Sequence, residues 1–360
     1  MRRGHGIEAA RRTAGWGRRR AAVTAVLLIS AIAPSAAGWG AHGHRLISEL
    51  ALRGFDDSGP EWLRDPEVRR RVAHQSNEVD RWRGWSVSVL GHENKPDHYL
   101  DVELLEQFGL TLETIPPLRN EYLRALMIAK HEHPERVDPY DAAKDAERSH
   151  EWPGFVLHAV AEHYAKLQAC FHQERILSQM GEPRRAFQLQ QARENAIYHM
   201  GMLSHFVGDI AQPLHTTRHF NGWSGPNPHG YTTSDKFHAY IDSGVVDKHD
   251  IKVEDVRPLV RHGASLNAMD PWDDVLAYFR RSFAEVEPLY ELEKRGQLDG
   301  DAGKAMISAR LADAAGMLSA MYQSAYSSSS PNAQQSAAWI RFDDLDRGQR
   351  PAASGPSARP

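Results

Sequence analysis

Apolar residues recur three and four positions apart along most of this chain, the spacing of a helix with one buried face. The pattern predicts helices over "HRLISELALRGF" (44–55), "EYLRALMIAKHEH" (121–133), "FVLHAVAEHYAKLQACFHQERILSQM" (155–180) and "RAFQLQQARENAIYHMGMLSHFVGDI" (185–210). It continues through "DDVLAYFRRSFAEVEPLYEL" (273–292) and "AMISARLADAAGMLSAMYQ" (305–323). No alternating run of β-branched residues argues for a strand. The reading is all-α, a single compact multi-helix bundle from Trp39 to about Tyr326.

Three segments break the pattern. "HTTRHFNGWSGPNPHGYTTSD" (215–235) is dense in Gly, Pro, Asn and hydroxyl residues and reads as a long functional loop. From Ser327, "SSSSPNAQQ" and "RGQRPAASGPSARP" read as a disordered, low-complexity tail, 327–360. At the other end, Arg2, Arg3, Arg11, Arg12 and Arg18 to Arg20 precede the short apolar stretch "AAVTAVLLISAIA" (21–33) and the small residues "PSAAG". That is the grammar of a secretory signal peptide over 1–38, cleaved between Gly38 and Trp39, and it sends the protein to the periplasm or the medium.

Charge then sharpens the question. Without residues 1–38 the chain loses seven Arg and one Glu, leaving 36 basic and 46 acidic residues and a net charge of −10. A protein that handles a polyanion with no cationic surplus needs another source of positive charge, and bound metal supplies one. The single cysteine, Cys170, excludes an intrachain disulfide and lies in a helical stretch as buried filler.

Twenty histidines point the same way. In "HFVGDIAQPLH", His205 and Asp209 are four apart and emerge on one helix face, while Gln212-Pro213 breaks the helix and frees His215 to point elsewhere. "SDKFHAYID" repeats the device with His238 and Asp242, behind Ser234 or Asp235 as a cap. One such pair is commonly a structural hydrogen bond. Two pairs, a linking His and no thiolate favour a metal site, zinc before others.

With these motifs and a start of "WGAHGH", the chain resembles the trinuclear zinc nucleases of fungi and plants, secreted and single-strand-specific, whose structural relatives are bacterial zinc phospholipases C. The resemblance implies a helical bundle with the zinc cluster at the base of a cleft. It implies nine ligands to three zinc ions: Trp39, through its freed amino group and carbonyl, His44, Asp80, His98, His205, Asp209, His215, His238 and Asp242. Asp80, His98, His205 and Asp209 would hold one ion, with Asp209 bridging to a second on Trp39 and His44, and His215, His238 and Asp242 a third. Asp80 would orient or deprotonate the attacking water, and Arg83, in "DRWR", would meet developing negative charge.

The match is uneven. The 106 residues between His98 and His205 imply an insertion around 105–155. The base-gripping Gly-Gly-Asn and lysine have no clear counterpart; Asp101 of "HYLD", Asn221, Trp223 and Asn227 are the candidates for substrate contact. Trp82, Trp85, Phe220, Trp223 and Tyr231 would stack bases, cover the core or meet lipid. His158, His163, His172 and His199 read as structural, and His219 and His229 line the loop. The expected substrate is single-stranded nucleic acid, cut to 5′-phosphates by a monomer with no protein partner. The alternatives are a phospholipid headgroup diester and a zinc-binding protein without turnover.

Overall fold

A computed structural model describes residues 39–55, 59–85 and 87–345, with side chains to 342. The signal-peptide reading falls on residues 1–38, and part of the tail reading on 346–360, both outside the described residues. The described residues belong to one unit, Pro34–Pro360.

They form fourteen α-helical pieces, joined by 3₁₀ turns, with no strand among the described residues beyond an isolated bridge of Leu100 to Gly154. In chain order these are α1 (Ala41–Gly54), α2 (Pro66–Gln75), α3 (Glu78–Trp82), α4 (Ser88–Asn94), α5 (Arg119–Glu132), α6 (Val156–Met180) and α7 (Ala186–Ala211). Then come α8 (Phe237–Ala239), α9 (Val245–Lys248), α10 (Val253–Val256), α11 (Trp272–Phe283), α12 (Val286–Lys294), α13 (Asp301–Ser328) and α14 (Ala333–Leu345). Among the described residues no helix is long and apolar enough to cross a membrane.

Helix α7 organises the rest. Every residue from Met200 to Ala211 is buried, as expected of a helix surrounded by others rather than lying on a surface. It packs against α1, α2, α6, α11 and α13. Two glycines allow the closest approaches: a Cβ on Gly201 would sit 2.2 Å from Gln75 Cβ at the end of α2, and one on Gly208 would sit 2.8 Å from His44 Nδ1 in α1. Neighbouring tyrosines bury their rings and satisfy their hydroxyls on α7 carbonyls, Tyr278 on Val207 (2.8 Å) and Tyr322 on Met200 (2.7 Å).

The structure revises two sequence expectations and adds a helix that the pattern did not announce. The run 273–292 is two helices, because Pro288 has no N–H for a continuing ladder and the chain restarts as α12 at Val286. The tail read as disordered from 327 extends α13 to Ser328 and then forms α14. A reciprocal capping box explains the latter: Asn332 Oδ1 accepts from Gln335 N–H (2.8 Å) and Gln335 Oε1 from Asn332 N–H (2.9 Å). Helix α2 lacks a legible apolar stripe because only Val72 is buried in it, although Asp65 accepting from Glu67 N–H with Pro66 at the first position is a start signal.

The segment read as an insertion carries α5 and is stitched along the extended path out of His98. Asp101 N–H donates to Pro153 carbonyl (2.7 Å), Phe155 N–H to Pro96 (2.8 Å) and Val156 N–H to Tyr99 (3.2 Å). Arg119 of α5 pairs with Asp97 and Glu162 together.

Candidate metal centre

Three groups of buried or nearly buried His and Asp stand close together. His44, Asp80 and His205, and His98, His205 and Asp209, lie where α1, α3, the turn carrying His98, and α7 converge. His215, His238 and Asp242 come from the turn after α7, from α8 and from the turn that follows it. The third is the expected set. The other two overlap on His205, while Asp209 reaches both, with Oδ2 at 3.2 Å from His205 Nε2 and 2.9 Å from His98 Nδ1, and Oδ1 at 3.5 Å from His44 Nε2.

Backbone carbonyls aim the rings. His205 Nδ1 donates to Ser76 carbonyl (2.7 Å) and His215 Nδ1 to His98 carbonyl (2.6 Å). A carbonyl only accepts, so these nitrogens carry hydrogen and each Nε2 is the atom that faces the centre. His98 faces Asp209 and His205 (3.0 Å), with Asn94 Nδ2 at 3.4 Å from its outer nitrogen. His44 stacks on His205 at 4.1 Å.

The second His–Asp pair is built on a turn no periodicity announces. Between α8 and α9, Tyr240–Gly244 is one π-helical turn, and it carries Asp242 so that Oδ2 lies 3.3 Å from His238 Nε2. Ser234, rather than Asp235, shapes the entry, its Oγ accepting from Lys236 N–H at 3.3 Å. Gln212, read from sequence only as a helix terminator, holds the other carboxylate oxygen through Nε2 (2.7 Å) while its Oε1 accepts from Leu214 N–H (2.6 Å).

Burial sets the protonation states. It pushes His44 and His98 down to about 3, His44 aided by neighbouring His205 and His98 by Arg83. It also lowers His215, and His238 more strongly, so these rings are neutral donors. Burial would lower His205 as well, but Asp209 and Asp80 outweigh it and raise the ring above its ordinary value. In return His205 and His215 hold Asp209 far below the carboxylate range despite its burial. Desolvation raises Asp242 well above that range.

This donor set fits a metal. Both nitrogens of fully buried His44, Nδ1 of His238, and one oxygen each of Asp209 and Asp242 have no hydrogen-bond partner. Leaving five such atoms dry would cost on the order of several kcal/mol, and a shared cation accounts for those that face inward.

The other predicted residues take separate places. Asp80 and Arg83 form an ion pair of 3.2 Å at the edge of the centre, with side chains 15% and 11% exposed. Trp39 has its indole in the core, and the N–H of the next residue, Gly40, donates to Asp242 carbonyl (2.8 Å). The structure thus brings the start of α1 beside the third group. His42, two positions from His44, instead contacts Ile251 carbonyl (2.8 Å).

The substrate candidates separate. Asp101 is buried with Oδ1 unpartnered, and Asn221 is exposed. Asn227 closes the loop on itself, its amide accepting from and donating to the backbone of Tyr231, both at 2.8 Å. Trp223 stacks on His219 at 3.9 Å and donates its N–H to Pro226, so one of its faces and its donor are engaged within the loop. Tyr231 is buried and Trp82 donates to Glu78, whereas Trp85 is 70% exposed and Phe220 lies edge-on to His238. Of the helical histidines, His158 contacts Pro116 carbonyl, His172 contacts Ser329, and His163 and His199 partner each other at 3.1 Å. Cys170 is buried, which lifts its thiol to about 11.

Residues 140–289 match the S1/P1 nuclease family. It is the family of nucleases that the sequence resembles, and it places the chain with hydrolases acting on phosphodiester bonds. The S1/P1 match contains His205, Asp209, His215, His238 and Asp242; Trp39 lies before it, as do His44, Asp80 and His98, and these last three join the centre through the fold. No curated protein matches the chain.

Proposed function

We propose that this is a secreted zinc-dependent nuclease that hydrolyses single-stranded DNA or RNA to 5′-phosphate products, with mature protein beginning at Trp39. The observation that carries the reading is the convergence of three buried His/Asp groups on Asp209 and its neighbours, with an ionised Asp80 and a guanidinium at their accessible edge. Nine residues would hold three zinc ions: Trp39, His44, Asp80, His98, His205, Asp209, His215, His238 and Asp242. Zinc, when bound, supplies Lewis-acid activation of water and of phosphate oxygens.

The chain's own groups do the rest. Burial opposes ionisation of Asp80, yet His205 and Arg83 outweigh it and keep the carboxylate below its ordinary pKa. As an acceptor at the edge of the site, Asp80 orients or deprotonates the attacking water. Arg83 offers planar, two-pronged donors to a phosphate gaining charge. Asp101 lines a cavity of about 260 Å³ shared with Arg218 and residues of the inserted segment, and its unpartnered Oδ1 is the substrate contact the reading assigns there.

The test compares hydrolysis of single-stranded DNA, RNA and phosphatidylcholine by zinc-loaded secreted protein, alongside metal analysis and amino-terminal sequencing. Cleavage of the nucleic acids to 5′-phosphates, three zinc equivalents and a first residue of Trp39 are expected. Hydrolysis of the lipid alone, or none on any substrate with zinc bound, overturns the reading.

A further inference from the structure

Along the chain around the Asp80–Arg83 pair, cations alternate with indoles: Arg81, Trp82, Arg83, Trp85. The two indoles behave differently. Trp82 packs against the core and donates to Glu78, while Trp85 is 70% exposed, flanked by Val87 (41%) and Val89 (78%). The backbone holds Trp85 in this position: its N–H donates to Trp82 carbonyl (3.0 Å) and its carbonyl accepts from Val87 N–H (2.8 Å).

Arg83 ties this turn to the centre. It pairs with Asp80, and its charge acts on His98, His215, His238 and Asp242, members of two of the three groups. With one residue between them, the α-carbons of Arg83 and Trp85 are at most about 7.6 Å apart, the reach of one or two nucleotides of a single strand. On a chain with ten excess negative charges outside residues 1–38, this turn sets an exposed indole two residues along the chain from a cation paired with Asp80.

We propose that Trp85 is a stacking platform for a base of the strand whose phosphodiester lies at the metal centre, beside Arg83. The inference rests on the nuclease reading above. A single strand suits the feature because every unpaired base offers a π face, and stacking asks for one rigid indole. Lipid insertion asks for a broad apolar surface, and the exposed large apolar residues within five positions of Trp85, among the described residues, are Val87 and Val89.

A cycle of two changes tests it. Trp85→Ala and Trp85→Phe are compared with wild type on a DNA dodecamer and on a dodecamer of abasic deoxyribose phosphates. For Trp85→Ala, KM on the normal strand rises about tenfold with kcat within a factor of two, Trp85→Phe restores most of it, and the abasic strand does not distinguish the proteins. Equal KM values on the normal strand, or an equal rise on the abasic one, overturn the proposal. So does loss of binding to phosphatidylcholine vesicles with KM for DNA unchanged, which makes Trp85 a lipid anchor. If wild-type protein leaves every strand uncut, the nuclease reading itself fails, and the stacking role falls with it.

Discussion

The Nε2 atoms of His215 and His238 face each other 2.9 Å apart in buried positions, and Asp242 Oδ2 lies 3.3 Å from the second. A hydrogen bond between the rings explains the first contact but leaves Asp242 Oδ2 without a partner. A cation shared by all three explains both. His238→Ala is therefore expected to lose about one zinc equivalent by elemental analysis and to keep its helical circular dichroism. Asp209→Ala, whose carboxylate reaches His44, His98 and His205, is expected to lose more than one. Full retention of metal by either variant contradicts the assignment.

Gln212 reaches the same carboxylate from outside. Gln212→Ala removes the donor to Asp242 Oδ1 and the acceptor for Leu214 N–H. Zinc affinity at this group is expected to fall roughly 10–100-fold, the usual effect of deleting a ligand's supporting hydrogen bond. Gln212→Glu keeps the acceptor but sets a second carboxylate against the first. Competitive chelator titration ranks the three proteins, and equal affinities would show that Gln212 only ends the helix.

In an ordinary helix interior, Gly→Ala stabilises by about 1 kcal/mol. At Gly208 the new Cβ would meet His44 Nδ1 at 2.8 Å and Cε1 at 3.1 Å, both on a fully buried ring. The clash reverses the sign: Gly208→Ala is expected to lower stability by roughly 1–3 kcal/mol, with loss of bound zinc as His44 shifts. Urea denaturation with parallel metal analysis checks both parts.

His158 couples pH to the attachment of α5. Its ring is buried against Tyr122 and Trp272, with Nε2 at 2.9 Å from Pro116 carbonyl, and burial lowers it from 6.5 to about 4. The unfolded chain therefore binds a proton that the folded chain refuses. Stability from this group is complete above pH 6.5 and is lost as pH falls towards 4, by about 2 kcal/mol between pH 7 and 5. His158→Gln keeps a donor without the titration, so urea midpoints should fall less between those two pH values in the variant. Parallel declines would assign the acid sensitivity elsewhere.

Some of this was decided within a few residues of chain. The long helices follow from apolar spacing, and the four-residue offsets of His205–Asp209 and His238–Asp242 set each pair about one helical turn apart. Only the tertiary structure brought His44 and His98 to Asp209 and Asp80 to His205, since those contacts span more than a hundred residues and depend on α7 carrying glycine where α1 and α2 approach. It alone made Tyr240–Gly244 a π turn, gave Gln212 its second partner, and engaged Asn227 and Trp223 in building the loop from which sequence alone assigns them to substrate. Burial is the common cause. A sequence names the ionisable groups, but their desolvation, and hence which imidazoles are neutral and which carboxylates charged, is fixed by what packs around them.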